Sequence, residues 1–304
     1  MRILVLGHTG YLGRHVAEQL SALGGVRLFG GGRSPDADLR VDLATADTGR
    51  LAENLADLSP DAVVNCAGSL GADPVTDAEV NVRGPAVLCA ALRKAAPTAR
   101  LVHLGSAAEY GAGEPGVPVA EDGPTRPVAS YGATKLAGTV AVASSGLDAV
   151  VLRVGNPVGP GAAPMSLPGG TALRLRRAGG DREAVVRFGD LSAHRDFVDV
   201  RDLARAVVLA ATASGPLPRI LNIGGGRAVP IRELVQGLVA VAGFRGRVDE
   251  AGIGSARSAG VAWQCSDITA AREALGWEPR FTLTDSLTAL WTSLGAPGEA
   301  DPVA

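Results

Sequence analysis

Met1-Arg2-Ile3-Leu4-Val5-Leu6-Gly7-His8-Thr9-Gly10-Tyr11-Leu12-Gly13 opens the chain, and its reading decides the fold. Ile3 to Leu6 run together without polar alternation, as in a strand covered on both faces. The glycine loop leads into a helical pattern that continues to about Leu23. In that setting the glycines allow a tight turn, bring backbone N–H groups against a pyrophosphate and let the helix close onto the sheet. The spacing is GxxGxxG, and Gly7, Thr9, Gly10, Tyr11, Leu12 and Gly13 are the candidate contacts of a dinucleotide. His8 reads as a residue that fills a turn position.

Working outward, Val26 to Phe29 is a second strand ending in Gly30-Gly31-Gly32-Arg33-Ser34. An acid at this point would bind a ribose 2′-hydroxyl; Arg33 and Ser34 suit a 2′-phosphate instead, while Asp36 and Asp38 keep the other choice open. Arg40-Val41-Asp42-Leu43 reads as a third short strand whose end, Asp42 and Leu43, flanks the adenine. Asp61 to Cys66 is a buried strand, and the small residues at Cys66, Ala67 and Gly68 leave room for a cofactor ribose. Helical spacing runs from Asp77 to Ala96, interrupted at Gly84-Pro85, with Asn81 near its start as a buried anchor or loop support.

Arg100 to Leu104 is the next strand, and Ser106 follows at its tip, facing the crevice where open α/β sheets bind ligands. Beyond an exposed Gly- and Pro-rich loop, Gly113 to Pro127, comes Tyr131-Gly132-Ala133-Thr134-Lys135. Four residues apart on a helix, Tyr131 and Lys135 share a face, and an ammonium beside a phenol is expected to lower its pKa and fit it for proton transfer. Without the upstream glycine loop and Ser106, the same pair would read as an ordinary half-buried tyrosine and solvated lysine. After the strand Ala149 to Val154 the alternation becomes irregular. A basic helix is expected at Thr171 to Arg177, strands at Glu183 to Phe188 and Ile220 to Ile223, and helices at Val200 to Ala213, Ile231 to Ala242 and Leu283 to Ser293.

Composition narrows the function. The 304 residues are 46% hydrophobic and 20% charged, with a net charge of −2 and no block of like charges, which favours neither nucleic acid nor an anionic membrane as partner. No secretory signal and no apolar run long enough to span a bilayer is read, and a cytoplasmic setting is expected. Cys66, Cys89 and Cys265 lie far apart without metal-ligand spacing and are expected to be reduced thiols; no metal is expected.

With GHTGYLG, NCAG, Asn81 with Gly84, GSAAEYG, YGATK, LRVGNPVGPG, HRDFVDVRD, LNIGGG and LGWEP in this order, the chain resembles the extended short-chain dehydrogenase/reductases of the NAD-dependent epimerase/dehydratase family. The resemblance implies an α/β fold: a Rossmann doubly wound parallel sheet over 1–155, with segments returning near 190–215 and 255–273, and a smaller, discontinuous substrate domain drawn mainly from 156–304. It implies Tyr131 as acid/base, Lys135 on the nicotinamide ribose and lowering the tyrosine pKa, and Ser106 on the reacting oxygen. It also implies nucleotide-sugar substrates, met by Asn156 and Arg195 as well as Ser106, and a homodimer pairing the Asp77–Ala96 and Tyr131–Ser144 helices. Ser258-Ala259-Gly260-Val261 departs from the family, where an arginine precedes Gly-Asp; Arg257 is one position off.

Dehydratases of this kind carry acids directly after the active-site serine or threonine. Here Ala107 and Ala108 stand there, and alternation is expected to turn Glu109 elsewhere. Ala108 also removes the cysteine of the fucose-type epimerase-reductases. The reading that remains is NADPH-dependent reduction of a nucleotide-activated 4-keto-6-deoxyhexose. An NDP-sugar 4-epimerase holding NAD is the alternative enzyme, and a non-catalytic NADP(H)-binding regulator is the alternative of another class.

Overall fold

The structure, a computed structural model, describes residues 1–70, 73–250 and 260–295. The first half alternates strand and helix: β1 (Arg2–Leu6), α1 (Tyr11–Ser21), β2 (Arg27–Gly32), β3 (Leu39–Arg40), α2 (Thr48–Leu58), β4 (Ala62–Asn65), α3 (Pro74–Ala78), a π-helical turn (Glu79–Arg83), α4 (Gly84–Ala95), β5 (Arg100–Ser106), α5 (Ser130–Ala143) and β6 (Ala149–Val154). The second half follows with β7 (Asn156–Val158), α6 (Leu167–Ala178), β8 (Val185–Arg187), β9 (His194–Asp199), α7 (Val200–Thr212), β10 (Ile220–Ile223), β11 (Ala228–Pro230), α8 (Ile231–Ala242), β12 (Arg247–Asp249), α9 (Thr269–Leu275) and α10 (Leu283–Ser293).

Seven parallel strands form the main sheet in the order β10-β6-β5-β4-β1-β2-β3. The order reverses between β1 and β4, which is where such sheets open a crevice beyond their carboxyl ends. Both faces are covered. Ile3, Val5, Val16 and Leu20 join Leu203, Val207 and Trp277 on one side, and Leu4, Leu6, Leu55, Leu88, Leu92 and Val142 pack on the other. The fold is therefore the doubly wound α/β sheet that the uninterrupted apolar strands imply.

Local details differ from the sequence pattern. The third strand is Leu39–Arg40 rather than Arg40–Leu43, and Asp42 and Leu43 fall in the turn after it. α2 occupies a stretch that no motif marks; the Asp47 side chain caps it through Arg50 N at 2.9 Å. The helical path from Asp77 passes through a π turn before Gly84, so the expected interruption is a change of helical pitch.

A separate core, including Leu175, Phe188, Leu234, Leu238, Leu287 and Leu290, joins α6, α8 and α10 into the smaller unit. From the second half, α7, Ile268, Ala271 and Trp277 pack on the main sheet, and β10 forms its edge. Asp196, Asp199 and Asp202 hold these crossings. The Asp196 carboxylate accepts from Gly225 N at 2.6 Å and Ser266 N at 3.0 Å, and Asp199 caps α7 through Arg201 N at 2.8 Å. Asp202 accepts from Arg280 N and Phe281 N, while its carbonyl takes the indole N–H of fully buried Trp277 at 2.9 Å. HRDFVDVRD and LGWEP are thus two halves of one clamp.

Candidate active site

The glycine loop is built by backbone contact. Gly7 has φ +75°, and a Cβ there would stand 2.9 Å from Ala67 N; its own N–H donates to Gly31 O at 2.8 Å. A Cβ on Gly13 would run into the Gly7 carbonyl. Loop, β2 tip and β4 tip therefore lie in direct contact. α1 starts at Gly10 with no side-chain cap, so the N–H groups of its first turn, Tyr11 and Leu12 among them, are offered at the positive end of the helix. That arrangement fits the pyrophosphate of a dinucleotide. Thr9 is exposed at the same end, and the Tyr11 hydroxyl reaches Gly159 O at 3.5 Å, linking the loop to the second half. His8 packs over Gly30 and shares a 3.2 Å hydrogen bond with Gly31 O, a turn role.

At the end of β2, Arg33 is exposed and Ser34 is half-buried, its Oγ accepting from Asp36 N at 3.3 Å. Asp38, the acid that left the choice of cofactor open, is engaged by Gly30 N at 2.7 Å. Asp42 closes a turn on Ala44 N at 3.0 Å, and Leu43 is buried in the core below it. On the β4 tip, burial pushes the Cys66 thiol up to about 12, and Asn65 Oδ1 holds Ala67 N at 3.1 Å. Asn81 takes the loop-support role: it accepts from Ser69 N at 3.0 Å and donates to Ser69 O at 3.0 Å and Thr134 Oγ1 at 3.2 Å. A Cβ on Gly68 would lie 3.5 Å from Asn81 Oδ1 and 4.0 Å from Lys135 Nζ, so the loop, Asn81 and the lysine form one surface.

Ser106, Tyr131 and Lys135 meet above β5. Ser106 ends the strand and accepts from Ala108 N at 3.2 Å. Lys135 is buried, and its ammonium donates to Leu104 O at 2.5 Å. Burial lowers Lys135 to about 8, partly offset by the Glu109 carboxylate and the Cys66 sulfur. The expectation that Lys135 lowers the tyrosine pKa fails in this state. Burial raises the Tyr131 phenol above its ordinary value, the Ser106 hydroxyl pulls it back, and the carboxylates of Glu109 and Asp77 add to the rise. A phenol held neutral is a proton donor.

Behind the serine, residues 107–109 form a 3-10 turn rather than more strand, and Glu109 turns inward because its side chain closes a capping box on Ser106 N. Fully buried, it accepts from Ser106 N at 2.8 Å, Thr139 Oγ1 at 2.9 Å and Arg153 Nε at 2.8 Å. Arg153 lies 4.5 Å over the Tyr110 ring, and Tyr110 donates to Asn222 at 2.7 Å. Gln264 donates to Ala107 O at 2.7 Å and braces the same turn. Arg153, Tyr110 and Asn222 stand inside the LRVGNPVGPG, GSAAEYG and LNIGGG motifs, whereas Gln264 lies in none, and no residue pattern in the sequence alone marks the four as one network. Asp77 is 1% exposed, and neither carboxylate oxygen has a hydrogen-bond partner among the described residues. Its position one helical turn before Asn81 was the available signal.

On the second unit, Asn156 Nδ2 donates to Asp196 O at 3.2 Å. Arg195 is buried, donates to its neighbour His194 O at 2.8 Å and makes no ion pair among the described residues; burial lowers its pKa. A guanidinium so placed is suited to an anionic ligand. Arg257, Ser258 and Ala259 lie outside the described residues.

Such a fold carrying such a site is an extended short-chain dehydrogenase/reductase. Residues 3–224 match the NAD dependent epimerase/dehydratase family, and the chain belongs to it as an NAD(P)-dependent enzyme. It is 37% identical over 304 residues to a dTDP-6-deoxy-L-talose 4-dehydrogenase (NAD(P)(+)) of Kitasatospora kifunensis, spanning 96% of this chain and 95% of that protein. It is 31% identical over 311 residues to the UDP-glucose 4-epimerase of Mycolicibacterium smegmatis, spanning 94% and 96% of the two chains. Among solved structures it is similar to the UDP-glucose 4-epimerase of Thermus thermophilus in complex with NAD, with TM-score 0.82, 26% identity and 96% and 98% of the chains covered. Nucleotide-sugar chemistry with NAD(P) is what these relatives share, and among the described residues no helix is long and apolar enough to cross a membrane.

Proposed function

We propose that the chain reduces the keto group of a nucleotide-activated 4-keto-6-deoxyhexose with NADPH, in the cytoplasm. The observation that carries the reading is the β5 tip: Ala107 and Ala108 follow Ser106, and Glu109 is locked to Arg153, so no free acid stands there to drive elimination of water. Tyr131 is neutral and beside Ser106, ready to give a proton to a forming alkoxide that the serine hydroxyl holds. The reduced nicotinamide supplies the hydride. Lys135 would hold the nicotinamide ribose, and the first turn of α1 the pyrophosphate, with Gly7, Thr9, Gly10, Tyr11, Leu12 and Gly13 forming the loop. Cys66, Ala67 and Gly68, kept in place by Asn81, would line the ribose; Asp42 and Leu43 would flank the adenine. Arg33 and Ser34 would receive a 2′-phosphate, and Asn156 and Arg195 the substrate diphosphate or its sugar.

A C4 dehydrogenase of a 6-deoxyhexose is, in reverse, such a ketoreductase, which is how the Kitasatospora relative supports the proposal. Net loss of NADPH absorbance with a dTDP-4-keto-6-deoxyhexose, and a product with one carbonyl reduced, is the expected outcome. Isomerisation of the sugar with a flat NADPH signal overturns it in favour of the epimerase. Pairing of α4 and α5 with their symmetry mates in a homodimer is part of the same proposal. The exposed α5 residue Val140 supports it, and light scattering that gives a single-chain mass counts against it.

A further inference from the structure

We infer that Thr139 and Gly132 are positioning residues that hold the helix of Tyr131 at its working distance from Ser106. The inference rests on the reading of Ser106 and Tyr131 as the reducing pair, and adds to it the contacts that set their spacing.

Both residues meet the serine turn from α5. Thr139 lies about two turns beyond Tyr131 on that helix and is 1% exposed. Its hydroxyl donates to Glu109 Oε1 at 2.9 Å, and Ser106 N donates to that same oxygen at 2.8 Å. One carboxylate oxygen thus joins the helix to the backbone of the serine, while Arg153 Nε fixes the other, Oε2, at 2.8 Å. The bridge passes over Gly105, where a Cβ would stand 2.7 Å from Glu109 Oε1 and 3.1 Å from Thr139 Oγ1.

Gly132 follows Tyr131 directly and makes the second contact. A Cβ there would lie 2.5 Å from Ala108 O and 3.0 Å from Pro127 Cβ. Its φ is not positive, so the backbone conformation does not call for glycine; the close approach of the Ala108 carbonyl does. A glycine in a helix costs stability relative to alanine, and here it lets α5 close onto the turn that begins at Ser106.

The chemistry explains why the spacing matters. The serine hydroxyl and the tyrosine phenol must converge on one oxygen of the substrate, and a misplacement of about 1 Å is enough to cost ~100-fold in rate. Thr139 and Gly132 need not touch the substrate to act on this step.

The test measures kcat, KM and NADPH affinity of the whole enzyme with a dTDP-4-keto-6-deoxyhexose. Thr139→Val keeps nearly the same shape and removes the hydroxyl, and should lower kcat ~10-fold with NADPH affinity unchanged. Thr139→Ser keeps the hydroxyl and should recover most of the loss. Gly132→Ala must open the approach by about 1 Å to reach an ordinary C···O contact, and should lower kcat by up to ~100-fold. Both losses should shrink when Ser106 is already Ala, because the spacing to a missing hydroxyl no longer matters. A purely structural role would lower stability and cost the same factor in both backgrounds. Equal factors in the two backgrounds, full turnover in Thr139→Val, or a Thr139→Ser enzyme as slow as Thr139→Val overturns the inference. Should Gly132→Ala not fold, the two Thr139 variants decide the question. A flat NADPH signal in the wild type overturns the reading of the site and this inference with it, so the wild type alone tells the two failures apart.

Discussion

Glu109 and Asp77 are buried carboxylates whose charges both reach the Tyr131 phenol, and the chain treats them in opposite ways. Glu109, behind the β5 tip, is saturated by a backbone N–H, a threonine hydroxyl and the Arg153 guanidinium. Asp77, on α3, has no hydrogen-bond partner among the described residues. A saturated buried acid belongs to the architecture and has no capacity left for a ligand. A buried acid without a partner costs the fold free energy that a hydrogen bond would have offset. The difference marks Glu109 as part of the frame that holds Ser106 and Arg153, and Asp77 as a carboxylate that no hydrogen bond among the described residues ties down.

The largest effect is expected at the phenol that both acids influence. Tyr131→Phe should keep NADPH binding and lose turnover by ~10²- to 10⁴-fold, since it removes the general acid. Ser106→Ala should cost less, because the proton donor remains. If Tyr131→Phe retains more than about a tenth of wild-type turnover, the two carboxylates do not flank a catalytic group and the contrast loses its functional side. Next comes Glu109→Ala, which strands Arg153 as a buried unpaired cation. Breaking a buried pair in this way costs about 3–5 kcal/mol, read as a drop in urea stability. A loss under about 1 kcal/mol, the range of an exposed pair, would mean that saturation is not what distinguishes Glu109. Asp77→Asn should cost far less, since it strands no partner among the described residues.

The same contrast explains what could be read from the sequence. Gly7 and Gly13 were legible because the need for a missing side chain is written in the residue itself, and Ser106, Tyr131 and Lys135 because their motifs occur in order. The direction of the Tyr131 pKa was not legible. Four-residue spacing places a lysine on the same face, but the balance of burial, Ser106, Glu109 and Asp77 exists only after packing, and the ammonium is directed to the Leu104 carbonyl. Asp77 read as the start of an amphipathic helix, since the absence of a partner has no sequence signature. Ile220–Ile223 read as a strand, but its place at the sheet edge depends on a crossover held by Asp196 and Asp202, far away in sequence.

Among the cations a milder version of the contrast holds. Arg33 is exposed and solvated, so a 2′-phosphate would gain an ion pair that competes with water. Arg33→Ala should lower the preference for NADPH over NADH by roughly tenfold, the scale of one hydrogen bond to a charged group. Equal dissociation constants for the two cofactors in the wild type, or an unchanged ratio in the variant, would count against the NADPH assignment and release Asp38 as the candidate ribose contact.

The smallest effect belongs to Lys135, and it has a sign that can be worked out. Burial lowers its pKa to about 8 from the ordinary 10.5, so between those two values the unfolded chain holds a proton that the folded chain has released. Stability contributed by this group therefore rises with pH across that window. Cofactor affinity should move the other way. If the ammonium donates to the nicotinamide ribose, the free enzyme must keep its proton to bind, and the dissociation constant for NADPH should rise about fourfold between pH 7 and pH 8.5. Lys135→Met, which carries no titrating group, should bind NADPH weakly and show neither trend in this range. A wild-type affinity that stays flat through pH 8 would mean that the bond to Leu104 is all that the ammonium does, and Lys135 would join Glu109 among the residues that build the site.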